Sequence, residues 1–497
     1  MNRTHGFSVT KPVSFWNKPL KANFKDLFKS ITKAAAYGVA GSWGSAAKEA
    51  VDALSTIGLG VDCGETAWLL IHRSLIQALY TLIEENEELL FKDIADSSVV
   101  HHKPGVFPED IEALCRKLDL SLEDNELTID EDFFRRPGDL SLLREIKTPF
   151  AQWLELFNFT KSQAESIADR LPSYFVFALN DQWRSRPQDY ECLREGLNTP
   201  FTKASEKEQS WLRYSAWLQK QIDERLFSEA FSLRQVYVPL RAYYYKELEP
   251  IWNEGFEDKK IESETTRIVV DLEKELESWL DKDEAHDSIR VISGGPGSGK
   301  SSFTKMLAAQ QCLRGKRRVL YVPLHHFELS NDVVHAISSF VRYERFLNHN
   351  PLDPEDGDSR LFIIFDGLDE LAMQGRIAAE IAQQFVYEVQ KKAYQFNLSE
   401  SRLKVLISGR ELAIQANVSE FRVPKQILYL LPYYYRVEED ETLDRIVSSN
   451  SESEYRSVRV KIVYEDPSNL LKLDQRDAWW KLYGNVLAKT MMVYLVS

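Results

Sequence analysis

The sequence predicts an α/β protein: an all-α N-terminal half, a core with a mostly parallel β-sheet flanked by helices, and a short helical C-terminal remnant. Three observations carry this. Ala67–Glu88 and Glu206–Leu226 place apolar residues three and four apart between charged ones, the period of an amphipathic helix. After about residue 285 the texture changes to short, continuous apolar runs separated by helix-like segments, the pattern of parallel strands covered on both faces. Between the first of these runs and the helix-like segment after it lies a glycine-rich loop.

Taken in order, residues 1–250 read as helices joined by Pro- and Gly-containing turns at Lys103–Gly105, Arg136–Gly138 and Arg186–Gln188. An internal echo joins two of them. Arg136-Pro137-x-Asp139-x-x-x-Leu143-Arg144-Glu145 returns as Arg186-Pro187-x-Asp189-x-x-x-Leu193-Arg194-Glu195, each copy followed by Thr-Pro-Phe. Two copies are too few for a solenoid and leave duplication or coincidence open. Residues 251–285 read as a helical connector, 286–430 as the α/β core and 431–497 as the C-terminal helical segment. The strand candidates are Arg290–Ser293, Arg318–Leu324, Leu361–Asp366, Leu403–Ser408 and Gln426–Leu431.

Composition narrows the function. The 497 residues are 44% hydrophobic and 28% charged, as in globular proteins. Sixty-two basic against 76 acidic residues give a net charge of −14, a poor starting field for nucleic acid, and no strong nucleic-acid signal appears. The four cysteines, Cys63, Cys115, Cys192 and Cys312, are far apart and form no C-x-x-C pair, so buried free thiols in a reducing compartment are expected. The N-terminus lacks the apolar stretch of a secretory signal, and Ala34–Ala47 is too short to span a bilayer, so a cytoplasmic location is expected. That Ala/Gly stretch reads first as a close helix–helix contact. It is also the one place where the helical domain could meet a membrane.

Gly294-Gly295-Pro296-Gly297-Ser298-Gly299-Lys300-Ser301 satisfies G-x-x-x-x-G-K-[ST] between a strand candidate and a helical run opening at Ser302. Glycines let successive N–H groups point at phosphate oxygens, and the helix N-terminus adds its dipole. Lys300 then neutralises the β- and γ-phosphates, and the Ser301 hydroxyl ligates Mg²⁺. Leu361–Phe365 is a wholly apolar strand candidate ending in Asp366, which puts that carboxylate in the crevice beside the loop as a second Mg²⁺ ligand. Asp369 and Glu370 follow one turn later, with Glu370 favoured as general base and Asp369 as organiser of the metal shell. Arg410, just past the strand candidate Leu403–Ser408, either reads the γ-phosphate or caps a loop.

These three stretches, GGPGSGKS, LFIIFDGLDEL and LKVLISGRE, resemble the NACHT branch of signal-transduction (STAND) P-loop NTPases over roughly residues 286–430. Gly367 after Asp366, with acids at 369 and 370, is the most discriminating feature, and Arg410 resembles the family's sensor arginine. More loosely, GSWGSAAKEAVDALSTIGL and AWLLIHRSLIQAL resemble helical domains preceding such modules in bacterial NLR-like anti-phage defence proteins. The resemblance implies ATP and Mg²⁺ as cofactors and a switch that is closed with ADP. With ATP it opens and self-associates when a trigger, with a phage component as candidate, is sensed. The family normally continues into a winged helix and a sensor, and the residues after 430 are too few for both, so either a short accessory C-terminus suffices or, the favoured reading, the C-terminus is truncated. Two other readings stay open: a nucleotide-binding interaction protein that does not cycle, and a nucleic-acid-stimulated motor. No guanine-selecting N-K-x-D appears, so ATP comes from the resemblance alone.

The remaining signals are weaker. Lys316-Arg317-Arg318 reads as a solvated turn. The pairs His101-His102 and His325-His326 lack a third metal ligand nearby. Tyr243–Tyr245 and Tyr433–Tyr435 read as packing.

Overall fold

The computed structural model describes residues 7–9, 63–89, 127–155, 159–246, 263–432, 442–448 and 455–483, with short gaps inside these stretches. It divides into two compact units, Met1–Val236 with Leu482–Ser497, and Tyr237–Lys481.

The first unit is helical: α1 (Cys63–Glu85), α2 (Ser141–Glu155), α3 (Lys161–Asp169), α4 (Leu171–Ser185), α5 (Glu191–Gly196) and α6 (Glu206–Asp223). A three-residue ladder, β1 (Phe7–Val9) with β2 (Leu127–Ile129), accompanies them. Helix α4 packs on α1 and α6. Their apolar faces close a core around Trp153, Phe150, Tyr174, Phe175, Leu179 and Tyr190, each at most 1% exposed. Local chemistry sets the helix starts. Thr160 with Gln163 and Ser205 with Glu208 form reciprocal capping boxes at α3 and α6.

The internal echo has a structural counterpart. Arg136 (φ −137°, ψ 63°) and Arg186 (φ −136°, ψ 55°) adopt nearly the same backbone conformation before 3₁₀ turns that begin at Pro137 and Pro187. Asp139 and Asp189 close both turns through their N–H groups, at 3.0 and 3.1 Å from the arginine carbonyls. The copies then diverge. Helix α2 runs on through Pro149, while α5 ends at Gly196. In the second copy Asp189 also takes up the buried Arg73 at 2.7 Å.

The cysteine expectation needs correction: Cys63 and Cys192 are disulfide-bonded, with Cα atoms 5.6 Å apart. Their separation of 129 residues hid this, because only the packing of α5 on α1 brings them together. Cys312 is half-buried and in no disulfide, and Cys115 lies outside the described residues.

The second unit is built on a sheet with nine strands among the described residues, in the order β10 (Thr442–Ser448), β11 (Tyr455–Glu465), β4 (Ser263–Asp271), β3 (Arg241–Tyr245), β9 (Ile427–Leu430), β5 (Ile289–Ser293), β8 (Leu403–Gly409), β7 (Leu361–Asp366) and β6 (Arg318–Pro323). The five strands at one end of this order, β9, β5, β8, β7 and β6, are mutually parallel. Every residue of β5, β7 and β8 is buried, which is why they read as near-continuous apolar runs, interrupted by Arg290 and Lys404, rather than alternating ones. Helices α8 (Lys300–Arg314), α9 (Val333–Glu344) and α11 (Arg376–Phe396) form the crossovers, with the short α10 (Leu368–Ala372) and α12 (Glu411–Gln415) at strand ends.

The rest of the sheet departs from expectation. The connector expected at 251–285 to be helical is, where described, strand β4 (Ser263–Asp271) followed by α7 (Leu272–Asp281). Tyr243–Tyr245 belong to strand β3 (Arg241–Tyr245), which runs antiparallel between β9 and β4. The C-terminal segment contributes β10 (Thr442–Ser448) and β11 (Tyr455–Glu465) before residues 477–483 turn helical. These strands carry polar residues and arginines among their apolar ones, and two of their pairings, β4 with β11 and β3 with β9, join segments far apart in sequence. Arg267 of β4 shows the consequence: its guanidinium lies 4.5 Å from the Tyr243 ring centroid and donates to Tyr464 Oη at 2.6 Å.

Candidate nucleotide site

The loop Gly294–Gly299 leaves the buried end of β5 and enters α8 at Lys300, as the motif requires. Gly297 and Gly299 take φ of +70° and +87°, a backbone that L side chains rarely adopt, so these two glycines let the chain curl. Gly294 answers a different need: a Cβ there would stand 2.8 Å from Ser298 Oγ and 3.1 Å from Leu430. Around Gly295 and Gly297 a Cβ would meet nothing within 4 Å, so the rim of the loop is open. Gly295, Pro296 and Gly297 are exposed, as is Ser301, while Ser298, Gly299 and Ser302 are half-buried.

Lys300 curls back over the loop, its Nζ donating to the carbonyls of Gly294 at 2.7 Å and Gly295 at 2.9 Å. Burial lowers its pKa from the usual lysine value. Asp369 and Asp366 oppose that shift and Arg410 adds to it, so all three charges reach the lysine. Asp366 ends β7, 6% exposed, held by the hydroxyls of Tyr321 (2.9 Å) and Ser408. Neither hydroxyl was picked out from the sequence. Both sit on neighbouring strands, β6 and β8, and only register brings them to the carboxylate.

Asp369 and Arg410 pair directly. Arg410 Nε stands 2.8 Å from Oδ2, and its backbone N–H donates to Oδ1 at 3.0 Å. Glu370, half-exposed, turns elsewhere, with Oε2 3.1 Å from His325 Nδ1. The structure thus gathers Lys300, Asp366, Asp369 and Arg410 into one charged cluster at the carboxyl ends of parallel strands, where open α/β sheets bind ligands.

The donors fit a nucleotide with Mg²⁺. A hydroxyl at Ser301 and a carboxylate at Asp366 are the hard oxygen ligands this ion takes, the remainder coming from water and phosphate. Ser293 Oγ, at the base of the loop, is buried without a hydrogen-bond partner. Among the described residues no group of three or more His, Cys, Asp or Glu could hold a metal by itself. None of the described helices is long and apolar enough to cross a membrane.

The other sequence signals resolve where they are described. Lys316 and Arg317 pair with Asp281 at 2.8 Å and Asp283 at 3.2 Å, which neutralises much of the basic cluster. Ala34–Ala47, His101-His102 and Tyr433–Tyr435 lie outside the described residues.

Strand order, crossover helices and loop together define a P-loop NTPase-like fold. Comparison with known proteins adds the helical half: residues 16–233 match the family described as NACHT N-terminal Helical domain 3, which supports a NACHT-type chain. No curated protein matches the sequence. A solved structure titled as a DnaB-like replicative helicase and its interactions with primase aligns with 79% of this chain and 99% of its own. Its identity is 13% and its TM-score 0.21, a likeness too slight to carry an argument.

Proposed function

We propose that this protein is a nucleotide-dependent signalling switch of the NACHT/STAND class. In this reading it binds and slowly hydrolyses ATP with Mg²⁺ and self-associates on activation. The same reading places it in the bacterial cytoplasm, in anti-phage immunity, with a trigger that could be a phage component. The observation that carries it is the convergence of Lys300, Asp366, Asp369 and Arg410 at the mouth of a complete phosphate loop, in a chain whose first half matches a NACHT-associated domain.

The chain's own groups suit the chemistry. The loop N–H groups and the N-terminus of α8 would cradle phosphate oxygens. Lys300 would exchange the carbonyls of Gly294 and Gly295 for the β- and γ-phosphates. Ser301 and Asp366 would hold Mg²⁺, which offsets phosphate charge when bound. Glu370 would take the proton of the attacking water, with Asp369 ordering the shell beside it. Arg410, now on Asp369, could exchange that carboxylate for a γ-phosphate oxygen and so register whether it is present.

Mass photometry of the full chain with ADP, with ATP plus Mg²⁺, and of Lys300→Ala under both conditions tests the reading. Discrete oligomers that need ATP and vanish in the variant are expected. Unchanged nucleotide affinity in Lys300→Ala would overturn the phosphate-site assignment. Tight retention of nucleotide without turnover would favour an interaction protein that does not cycle, and turnover rising steeply with nucleic acid would favour a motor.

A further inference from the structure

We propose that His325 is a positioning residue that holds Glu370 in a parked position, and that losing this restraint speeds nucleotide hydrolysis. The inference rests on the NTPase reading above and adds to it a residue that governs when the base is available.

Strands β6 and β7 are parallel neighbours with Pro323 opposite Asp366. The chain leaves β6 through a 3₁₀ turn, Leu324–His326, and leaves β7 through Gly367 into α10. His325 and Glu370 therefore emerge side by side, and Nδ1 stands 3.1 Å from Oε2. The imidazole is itself held in place. His326 meets it edge-on with ring centroids 4.0 Å apart, and Leu324 anchors the turn at 1% exposure.

Gly367 is what leaves room for the glutamate in this position. Gly367, at φ +92°, brings the backbone so close that a Cβ there would stand 2.9 Å from Glu370 Cδ and 3.1 Å from Oε2. The carboxylate thus lies close to both the Gly367 backbone and His325 Nδ1. The carboxylates whose field acts on Lys300 are Asp369 and Asp366. A general base must come within hydrogen-bond reach of the water it activates. For Glu370 that means leaving the imidazole for the space over the loop.

His325 is 52% exposed and Glu370 44%, so water competes for both groups. A pair this exposed can bias the carboxylate's position by about fivefold at most. The restraint is a bias on the base that nucleotide and neighbouring groups can override.

Single-turnover hydrolysis of ATP with Mg²⁺ by the full chain, alongside nucleotide Kd, tests this in His325→Ala, Glu370→Gln and the double variant. His325→Ala is expected to hydrolyse about two- to fivefold faster with Kd unchanged. His325→Lys, which leaves a permanent cation beside Oε2, should be slower than the wild type. The double variant should match Glu370→Gln, because the histidine acts only through that carboxylate. A His325→Ala rate equal to or below the wild type, with Glu370→Gln still impaired, overturns the restraint and leaves the NTPase reading standing. An acceleration that persists in the Glu370→Gln background also overturns it. Normal turnover in Glu370→Gln removes the base assignment, and the restraint with it.

Discussion

Ser408 and Asp366 are joined across adjacent parallel strands: the Ser408 hydroxyl donates to Oδ1 and also accepts the Gly367 N–H at 3.1 Å. One side chain on β8 therefore fixes both the candidate metal ligand and the residue that turns the chain toward Asp369 and Glu370. Ser408 is fully buried, so water cannot replace it without opening the core.

Ser408→Ala should accordingly cost about 1–3 kcal/mol of stability, because the buried carboxylate loses a donor. It should also raise the Mg²⁺ concentration needed for tight nucleotide binding. Urea unfolding and a Mg²⁺ titration of nucleotide affinity measure the two effects. Tyr321→Phe, which removes the donor to Oδ2, should act in the same direction.

Arg410 makes two contacts to Asp369, through Nε and through its backbone N–H. Only the first is lost in Arg410→Ala, so Asp369 stays tethered to the backbone while the mobile cation disappears. If Arg410 reads the γ-phosphate, the variant should lose affinity for ATP about tenfold while ADP affinity changes little. Calorimetric titration of both nucleotides decides it, and an equal loss for both would reduce Arg410 to a loop cap.

What was legible in the sequence follows from how local each signal is. Leu361–Asp366 was placed to the residue, because a strand buried on both faces is apolar throughout and its closing carboxylate marks the end. The loop was equally plain, since its glycines answer to backbone geometry within six residues. Strands β3, β4 and β11 were not read. Ser263–Asp271 holds the β-branched Thr265, Thr266, Ile268, Val269 and Val270, a strand signal that the charged residues around it mask. In the sheet it is flanked by β3 on one side and by β11, about 200 residues away, on the other. The same holds inside the site. Lys300 and Asp366 follow from motif logic, whereas the grip of Tyr321 and Ser408 on Asp366, and of His325 on Glu370, depends on register between strands. The Cys63–Cys192 bond belongs to this class too, set by helix packing and invisible to spacing.

That bond gives a stability test independent of nucleotide. It links the start of α1 to α5 and closes a long loop, so it constrains the unfolded chain strongly. Cys63→Ser, or reductant applied to the wild type, should lower stability by about 2–4 kcal/mol, and reductant should add nothing to the variant. Denaturant unfolding with and without reductant, followed by a helical signal, measures this.

Lys404 provides a pH test of the sheet at the end away from the loop. It is fully buried in β8, its Nζ donating to the carbonyls of Asp287 at 2.7 Å and Glu284 at 3.2 Å, with Trp279 alongside at 5.2 Å. The carboxylate of Asp287 is already engaged by Arg290, whose Nη2 donates to it at 2.7 Å. Burial therefore dominates and pulls the Lys404 pKa down to about 8, with Asp287 opposing the shift and Arg317 and Arg290 adding to it. In the unfolded chain the ammonium keeps its ordinary pKa, so between about pH 8 and about pH 10 the unfolded state binds the extra proton. Stability must then rise with pH across that window, opposite to what a lysine raised by an ion pair would give. The contribution should be about 1–3 kcal/mol. Lys404→Met should lack this alkaline rise while leaving the pH dependence below 7 unchanged, in urea unfolding between pH 6 and pH 10. A wild-type curve that falls throughout this range, with the variant running parallel to it, would mean that Lys404 stays charged in the folded sheet.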